Sequence, residues 1–133
     1  MSALFILDTD TVSFALRGRG RVAETILRHK PSELCVSAIT VAELRFGADL
    51  NHSAKLHVLI DAFIAEIAIM PFDDACATSF GKIAADLASR GAPIGDFDVL
   101  IGAHAVALQA VLVTNNTKHF ERIQGLKLEN WYS

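Results

Sequence analysis

Acidic and amide side chains occupy four positions where the sequence predicts the end of a strand or the start of a helix. Asp8 directly follows the apolar run FIL, and Asn116 comes shortly after the apolar run VLV. Glu43 and Asp98 fall in the first turns of two predicted helices. Gathered carboxylates repel each other unless they share a cation, and oxygen-only sites suit Mg²⁺ or Mn²⁺. A metal held by Asp8, Glu43 and Asp98 could activate water and neutralise charge on a phosphoryl group.

The carboxylates at the first two positions also have structural interpretations. Asp8 could cap a helix, although Asp10 and Thr11 could do so instead, and carboxylates at strand ends favour a site. Glu43 completes a capping box with Thr40, in which it would bond back to the Thr40 backbone. The sequence alone leaves the capping box and the metal site equally open for Glu43.

Asp98 and Asn116 have structural alternatives as well. Asp98 could favour the helix dipole, but Asp96 is better placed as the N-cap. Asp98 shares a helix face with Ile101, so it should point toward the core, where a carboxylate needs a partner. Asn116 could shape a turn. His119 lies near this edge but looks isolated.

Two further polar residues are candidates for support of the carboxylates, and a third is better explained by packing. His104 lies on an apolar helix and is interpreted as a packed core residue rather than a ligand. Ser37 and Thr114 could donate hydrogen bonds to the carboxylates, or could serve only in helix entry and turn formation. The sequence alone does not distinguish between these two roles.

The elements that must position these residues alternate between strands and helices. Short apolar runs predict strands at 4–7, 34–37, 68–72 and 111–113, and an edge strand at 126–128 with Trp131 packing behind it. Amphipathic spacing and capping residues predict helices at 11–17, 21–29, 40–49, 53–67, from 73 or 74 to Gly91 and 96–109, with a helical turn at 119–123. This order predicts an α/β fold with a mainly parallel sheet and a ligand site at the carboxyl ends of its strands.

Bulk composition narrows the classes of protein. The 133 residues, 52% of them hydrophobic, predict one globular domain over 1–133. Cys35 and Cys76 form no disulfide framework, which favours a cytoplasmic protein, and no apolar run is long enough for a membrane segment. The net charge of −3 argues against a bulk nucleic-acid binder. A local basic group is interpreted, by a small margin, as a solvated face: Arg17, Arg19, Arg21, Arg28 and Lys30.

Four segments in order resemble the PIN-domain ribonucleases and, within them, the VapC toxins of bacterial type II toxin–antitoxin systems. Together they cover nearly the whole chain: FILDTDTVS at 5–13, VSAITVAELRFGA at 36–48, PIGDFDVLIGAHA at 93–105 and LVTNNTKHFERIQGLKLENW at 112–131. The resemblance implies a three-layer α/β/α sandwich with a central, mainly parallel sheet of four to five strands. It also implies Mg²⁺- or Mn²⁺-dependent hydrolysis of RNA, with tRNA or ribosomal RNA as the target, and inhibition of translation until an antitoxin neutralises the toxin.

The same resemblance suggests a role for each candidate. Asp8, Glu43 and Asp98 match the family's metal-binding acids, and Asn116 falls where many PIN proteins have a fourth acid. The implied partners are a cognate VapB-type antitoxin, whose C-terminal tail occupies the active site, and a second copy in a homodimer.

Three residues depart from the family pattern. Asp10 stands where many relatives have Asn, Asn116 removes a formal charge, and His119 stands where an acid is common. One tightly bound ion, with a second arriving with RNA, is therefore the hypothesis that this sequence favours.

Two other functions compete with the nuclease. The run FILDTDTV also fits the Asp-x-Asp-x-Thr/Val pattern of haloacid-dehalogenase-like phosphatases, with Asp8 as nucleophile and Asp10 as acid and base. The chain is short for that family, and Glu43 would have no role in it. A non-catalytic, metal-bound interaction module is the third hypothesis, and it leaves the converging carboxylates without a chemical purpose.

Overall fold

A five-stranded, entirely parallel sheet forms the centre of the protein. The computed structural model describes residues 3–133, and residues 1 and 2 of the predicted domain lie outside the described residues. The strands are β1 (Phe5–Leu7), β2 (Leu34–Ser37), β3 (Ala68–Met70), β4 (Val111–Val113) and β5 (Lys127–Glu129), in the spatial order β3-β2-β1-β4-β5. Strand β1 is central, and the chain winds outward from it in both directions, first to β3 and later to β5.

Helices connect the strands and cover the sheet. They are α1 (Thr9–Arg17), α2 (Val22–Leu27), α3 (Ala38–Leu50), α4 (Ala54–Glu66), α5 (Asp74–Ser89), α6 (Asp96–Leu108) and the short α7 (Thr117–Phe120). A 3₁₀ turn over Pro31–Glu33 precedes β2. Proline favours such a start because its missing N–H would be unpaired there in any case.

Two apolar cores lie on opposite faces of the sheet because successive side chains of a strand point in opposite directions. Ile6, Cys35 and Leu112 face the core that includes Ile101 and Leu87, from helices α6 and α5. The neighbouring strand residues face a second core with α1, α3 and α4: Leu7, Val36 and Val113 with Val12, Leu44 and Ile60. This arrangement, helices on both faces of a parallel sheet, confirms the predicted three-layer α/β/α sandwich.

Several predicted boundaries differ from the structure. Strand β3 ends at Met70 rather than at 72, because Pro71 has no N–H for the strand ladder. The last helical turn is Thr117–Phe120 rather than 119–123, the last strand begins one residue later than predicted, and α2 ends at Leu27 rather than at 29. The 3₁₀ turn was not predicted. Trp131 is buried, with its ring centroid 5.3 Å from that of Phe5, as expected.

The strand register brings three polar residues to one edge of the sheet. Leu7 pairs with Val36 on one side and with Val113 on the other. The next residue of each strand segment is polar and buried: Asp8, Ser37 and Thr114. The chain reverses its direction of winding between β1 and β4, and the carboxyl side of such a switch point is where α/β proteins bind ligands.

Candidate active site

Asp8 lies at the switch point and is the most buried of the candidate acids, with only 4% of its surface exposed. It caps α1, because its Oδ1 accepts a 2.8 Å hydrogen bond from the Thr11 backbone N–H. Of the three capping residues that the sequence allowed, the structure uses Asp8 and neither Asp10 nor Thr11. Burial raises the pKa of Asp8 to about 6, against the opposing effect of hydrogen bonds from Thr11 and Thr114.

Glu43 does not form the capping box that the sequence offered. Helix α3 begins at Ala38, and Ser37 is its N-cap, so Thr40 already lies inside the helix. The Glu43 Oε1 instead accepts a 2.6 Å hydrogen bond from the Thr9 hydroxyl, next to Asp8 in the chain. Glu43 thus turns toward the strand edge and away from its own helix terminus.

The electrostatic surroundings of Glu43 place it among the other acids. Burial is the largest cause that raises its pKa, and the Thr9 hydrogen bond opposes it. Repulsion from Asp98 and from Asp10 raises this pKa further. Thr9, which the sequence did not single out, therefore belongs to the candidate site. Its signal was its position directly after a strand-end aspartate.

Asp98 lies one turn into α6 on the same edge. Gly95 is the N-cap of this helix, so the prediction that Asp96 caps it was wrong. The Asp98 side chain is 36% exposed, and its Oδ2 lies 4.0 Å from His119 Nδ1. Burial and then repulsion from Asp10 raise the Asp98 pKa, and His119 lowers it. Asp96 lines a separate hollow with Phe80, between α5 and α6.

Asn116 and His119 form one unit beside Asp98. The Asn116 backbone N–H donates to the Thr114 hydroxyl at 2.9 Å, and its side-chain Nδ2 lies 2.8 Å from His119 Nδ1. The sequence suggested that His119 is isolated. In the structure it lies instead between the Asn116 amide and the Asp98 carboxylate. The three-residue spacing of Asn116 and His119 in a helical turn was the available signal.

Ser37 and Thr114 have different roles, although the sequence suggested the same two alternatives for both. Ser37 caps α3 through the Ile39 N–H, and its hydroxyl also lies 2.8 Å from His104 Nδ1. His104 is fully buried, so its interpretation as a core residue holds, and burial lowers its pKa. Thr114 is the residue that contributes a hydrogen bond to Asp8.

The chemistry of this donor set suits a hard divalent cation. Asp8, Glu43 and Asp98 offer carboxylate oxygens, and all three have pKa values raised first by burial, as expected for negative charges that lack a counter-ion. Within residues 3–133, no three Asp, Glu, His or Cys side chains lie close enough to hold one ion in their present rotamers. The oxygen donors fit a divalent cation by their chemistry, and these side chains would have to move closer together to bind one.

An apolar hollow adjoins the acidic residues. It has a volume of about 500 Å³ and lies between α3 and α6, where Thr9, Glu43, Phe46 and Phe97 line it. Phe46 is 67% exposed and Phe97 is 55% exposed. Large exposed aromatic side chains beside a site mark a surface where another molecule binds.

Comparison with known proteins decides the family. The PIN domain family model matches residues 5–126. The chain is 34% identical over 128 residues to the tRNA(fMet)-specific endonuclease VapC of Shigella flexneri, covering 96% of this chain and 97% of that protein. It is 33% identical to ribonuclease VapC2 of Rickettsia felis, over 96% and 98% of the two chains. This chain belongs to the PIN domain family and, within it, to the VapC ribonucleases.

Solved VapC structures share the whole fold. The DNA-bound VapBC complex of Salmonella typhimurium contains a chain that matches with a TM-score of 0.91 at 34% identity, covering 97% of this chain and 98% of that one. The Rickettsia felis VapBC2 complex, bound to a fragment of its promoter DNA, contains a chain that matches with a TM-score of 0.89 at 30% identity, covering 96% and 98%. These likenesses confirm the predicted fold, the PIN family and the VapC ribonuclease class. Among the described helices, none is long and apolar enough to cross a membrane.

Proposed function

We propose that this VapC protein, a single PIN domain, is the toxin of a type II toxin–antitoxin system and cleaves RNA phosphodiester bonds with Mg²⁺ or Mn²⁺. Divalent-metal dependence is general in this family, and the bound ion would activate water and neutralise phosphoryl charge. The observation that carries the proposal is the convergence of Asp8, Glu43 and Asp98 on one sheet edge, in a chain similar to VapC nucleases along nearly its full length.

Each residue has a distinct task in this proposal. Asp8, Glu43 and Asp98 hold the ion. The Thr11 N–H orients Asp8, and the Thr9 hydroxyl orients Glu43. Preorganised groups of this kind reduce the reorganisation that the reaction requires.

Asn116 acts through its neighbour rather than as a ligand. Its amide holds the His119 ring, and that ring lies 4.0 Å from Asp98. Asn116 and His119 thereby orient the outer carboxylate of the site. Because Asn116 is neutral, it adds no carboxylate to the three proposed ligands and to the nearby Asp10, and we propose one resident ion, with a second arriving with RNA.

Cleavage of RNA by the purified protein tests this function. Activity is expected with MgCl₂ or MnCl₂ and should disappear in EDTA. Asp98→Asn should lower kcat by at least about a hundredfold, since metal positioning is lost. Asp96→Asn is the matched control, because this carboxylate lies two positions away in the same helix and faces another hollow. Equal activity of Asp98→Asn and the wild type would reject the assignment.

The relatives suggest the substrate and the partners. Two of the VapC relatives are named tRNA(fMet)-specific endonucleases, so we propose a tRNA, with ribosomal RNA as the competing target. A VapB-type antitoxin is the proposed partner at the hollow beside Phe46 and Phe97, since solved relatives are VapBC complexes. A homodimer is also proposed, because Leu50 and Val58 are each 64% exposed.

The cell compartment follows from the same chemistry. RNA and a translation target place the proposed activity in the cytoplasm, and within residues 3–133 Cys35 and Cys76 are free thiols, as a reducing compartment favours. Neither the phosphatase nor the interaction module finds support among the relatives, which are named ribonucleases or endonucleases. A phosphatase would also leave Glu43 without a role, although its carboxylate accepts a hydrogen bond from Thr9, next to Asp8.

A further inference from the structure

A narrow cleft leads from the acidic residues to the C-terminal end of α1. It has a volume of about 200 Å³, and Asp10, Ser13, Arg17 and Glu43 line it. Arg17 follows Asp10 by seven positions on α1, which is roughly 10 Å along the helix axis and about two turns. Both side chains therefore lie on one face of the helix, with a positive charge at one end of the cleft and the acids at the other.

The positive end of this cleft is available to an anion. Arg17 is exposed, and it takes part in none of the salt bridges found within residues 3–133. It also begins a strongly basic stretch in an otherwise acidic protein. Between positions 17 and 30, Glu24 is the one acid beside five basic residues: Arg17, Arg19, Arg21, Arg28 and Lys30.

We propose that Arg17 binds a backbone phosphate that flanks the scissile phosphate of the RNA, so that the strand lies along this cleft. The inference rests on the proposed ribonuclease function and extends it to substrate binding. The acidic residues repel every phosphate except the one that the bound cation neutralises. A cation is therefore needed on the path of the strand, and a guanidinium can bind phosphate with two hydrogen bonds.

This placement also explains why the net charge of −3 is compatible with a polyanionic substrate. The charge of Arg17 lies where the flanking strand would run, and backbone contacts of this kind position a nucleic acid without reading its sequence. Arg17 contacts the substrate equally in the ground state and in the transition state. Its loss should therefore raise KM and leave kcat unchanged.

The competing explanation is that Arg17 merely stabilises the C-terminal end of α1, where a basic residue favours the helix dipole. Arg17→Gln removes the charge under either explanation, but only phosphate binding predicts a change in salt dependence. Arg28→Gln is the matched control, since Arg28 is an exposed arginine of the same basic stretch that does not line the cleft.

Two measurements on the full chain test the proposal. The first is KM and kcat for RNA cleavage at several KCl concentrations. The second is fluorescence anisotropy of a labelled single-stranded RNA oligonucleotide in CaCl₂, which reports binding separately from turnover. For Arg17→Gln we expect about a tenfold rise in KM and Kd, an unchanged kcat and a slope of log Kd against log salt that is smaller by about 0.7. Arg28→Gln should match the wild type in the slope.

The possible results are distinguishable. Equal slopes and Kd values for Arg17→Gln and the wild type would overturn the proposal, as would a change confined to Tm or to binding of a protein partner. If the wild type binds RNA through Arg17 but never cleaves it, the subsite is supported and the proposed ribonuclease function fails. Equal losses in both arginine variants would indicate diffuse attraction and would overturn the assignment of a specific subsite.

Discussion

Replacement of Asp8 by Asn should stabilise the metal-free protein above neutral pH, although it removes a residue proposed to bind metal. The amide has nearly the same shape as the carboxylate, and its oxygen can still accept the hydrogen bond from the Thr11 N–H. The one large change is the loss of a buried negative charge. In the absence of a cation, that charge is a cost to the folded state.

The size of this effect follows from the pKa of Asp8. Burial raises it from 3.8 to about 6, a shift of about 2 units, which corresponds to about 3 kcal/mol. A carboxyl with a raised pKa in the folded state stabilises the protein fully below pH 3.8, and this contribution is lost as the pH rises through about 6. The advantage of Asp8→Asn over the wild type should therefore be about 3 kcal/mol at pH 8 and about 1 kcal/mol or less at pH 4.5.

Urea unfolding in EDTA at pH 4.5 and at pH 8, followed by circular dichroism, measures this difference. Asp8→Ala is the control for the cap, because it removes both the charge and the acceptor. It should be less stable than Asp8→Asn by about 1 kcal/mol at both pH values. Added MnCl₂ at a thousandfold excess over its Kd should reverse the order at pH 8, because only the wild type gains free energy from the ion, about 4.1 kcal/mol.

Two results would refute this reasoning. If Asp8→Asn is no more stable than the wild type in EDTA at pH 8, the buried charge carries no cost. If its advantage is the same at both pH values, the cause is not ionisation of Asp8. Failure of MnCl₂ to change the order of stability would contradict only the metal assignment and would leave the electrostatic argument intact.

Three further variants test a hydrogen bond and the packing of the helices. Thr9→Val keeps the shape of the side chain but removes the hydrogen-bond donor to Glu43, so the Glu43 pKa should rise. Mn²⁺ binding, measured by electron paramagnetic resonance, should weaken about tenfold, and by more at pH 6 than at pH 8. Unchanged affinity would show that this hydrogen bond does not orient the Glu43 carboxylate. Gly102→Ala should lower the free energy of unfolding, measured in urea, by about 1–3 kcal/mol, because the new Cβ would lie 2.5 Å from Ile123 Cδ1. At Gly81 an added Cβ meets open space, so Gly81→Ala should raise the free energy of unfolding by up to about 1 kcal/mol. Equal effects at the two glycines would contradict the packing argument.

The sequence was informative wherever function depends on local pattern. Apolar runs and helix periodicity identified all five strands and the order of the helices, and from these the positions of Asp8 and Asp98 at one sheet edge followed. Prediction from the sequence failed where a contact joins distant parts of the chain. The Thr9 hydroxyl reaches Glu43 across 34 positions, so no local pattern could rank this bond above the capping box with Thr40.

The two errors at helix starts have a common physical cause. In each case the helix begins as soon as the preceding strand or loop ends, so the cap lies earlier in the chain than the residue that the capping pattern favoured. Ser37 caps α3 three positions before Thr40, and Gly95 precedes Asp96. Because α3 begins at Ala38, Glu43 lies in the second turn of the helix, where its side chain accepts a hydrogen bond from Thr9 instead of serving the helix terminus.

Asp8 has two opposite effects on the stability of the fold. Asp8 satisfies the Thr11 N–H at the start of α1, which favours folding, and it carries a buried charge, which disfavours folding without a cation. Asparagine would provide the same cap without the charge, so stability alone does not explain a carboxylate at this position. The carboxylate is explained if an ion compensates it, because a divalent cation converts the buried charge from a cost into a ligand. The stability of this VapC protein should therefore depend on metal through Asp8 more than through the half-exposed Asp98, where water already screens the charge.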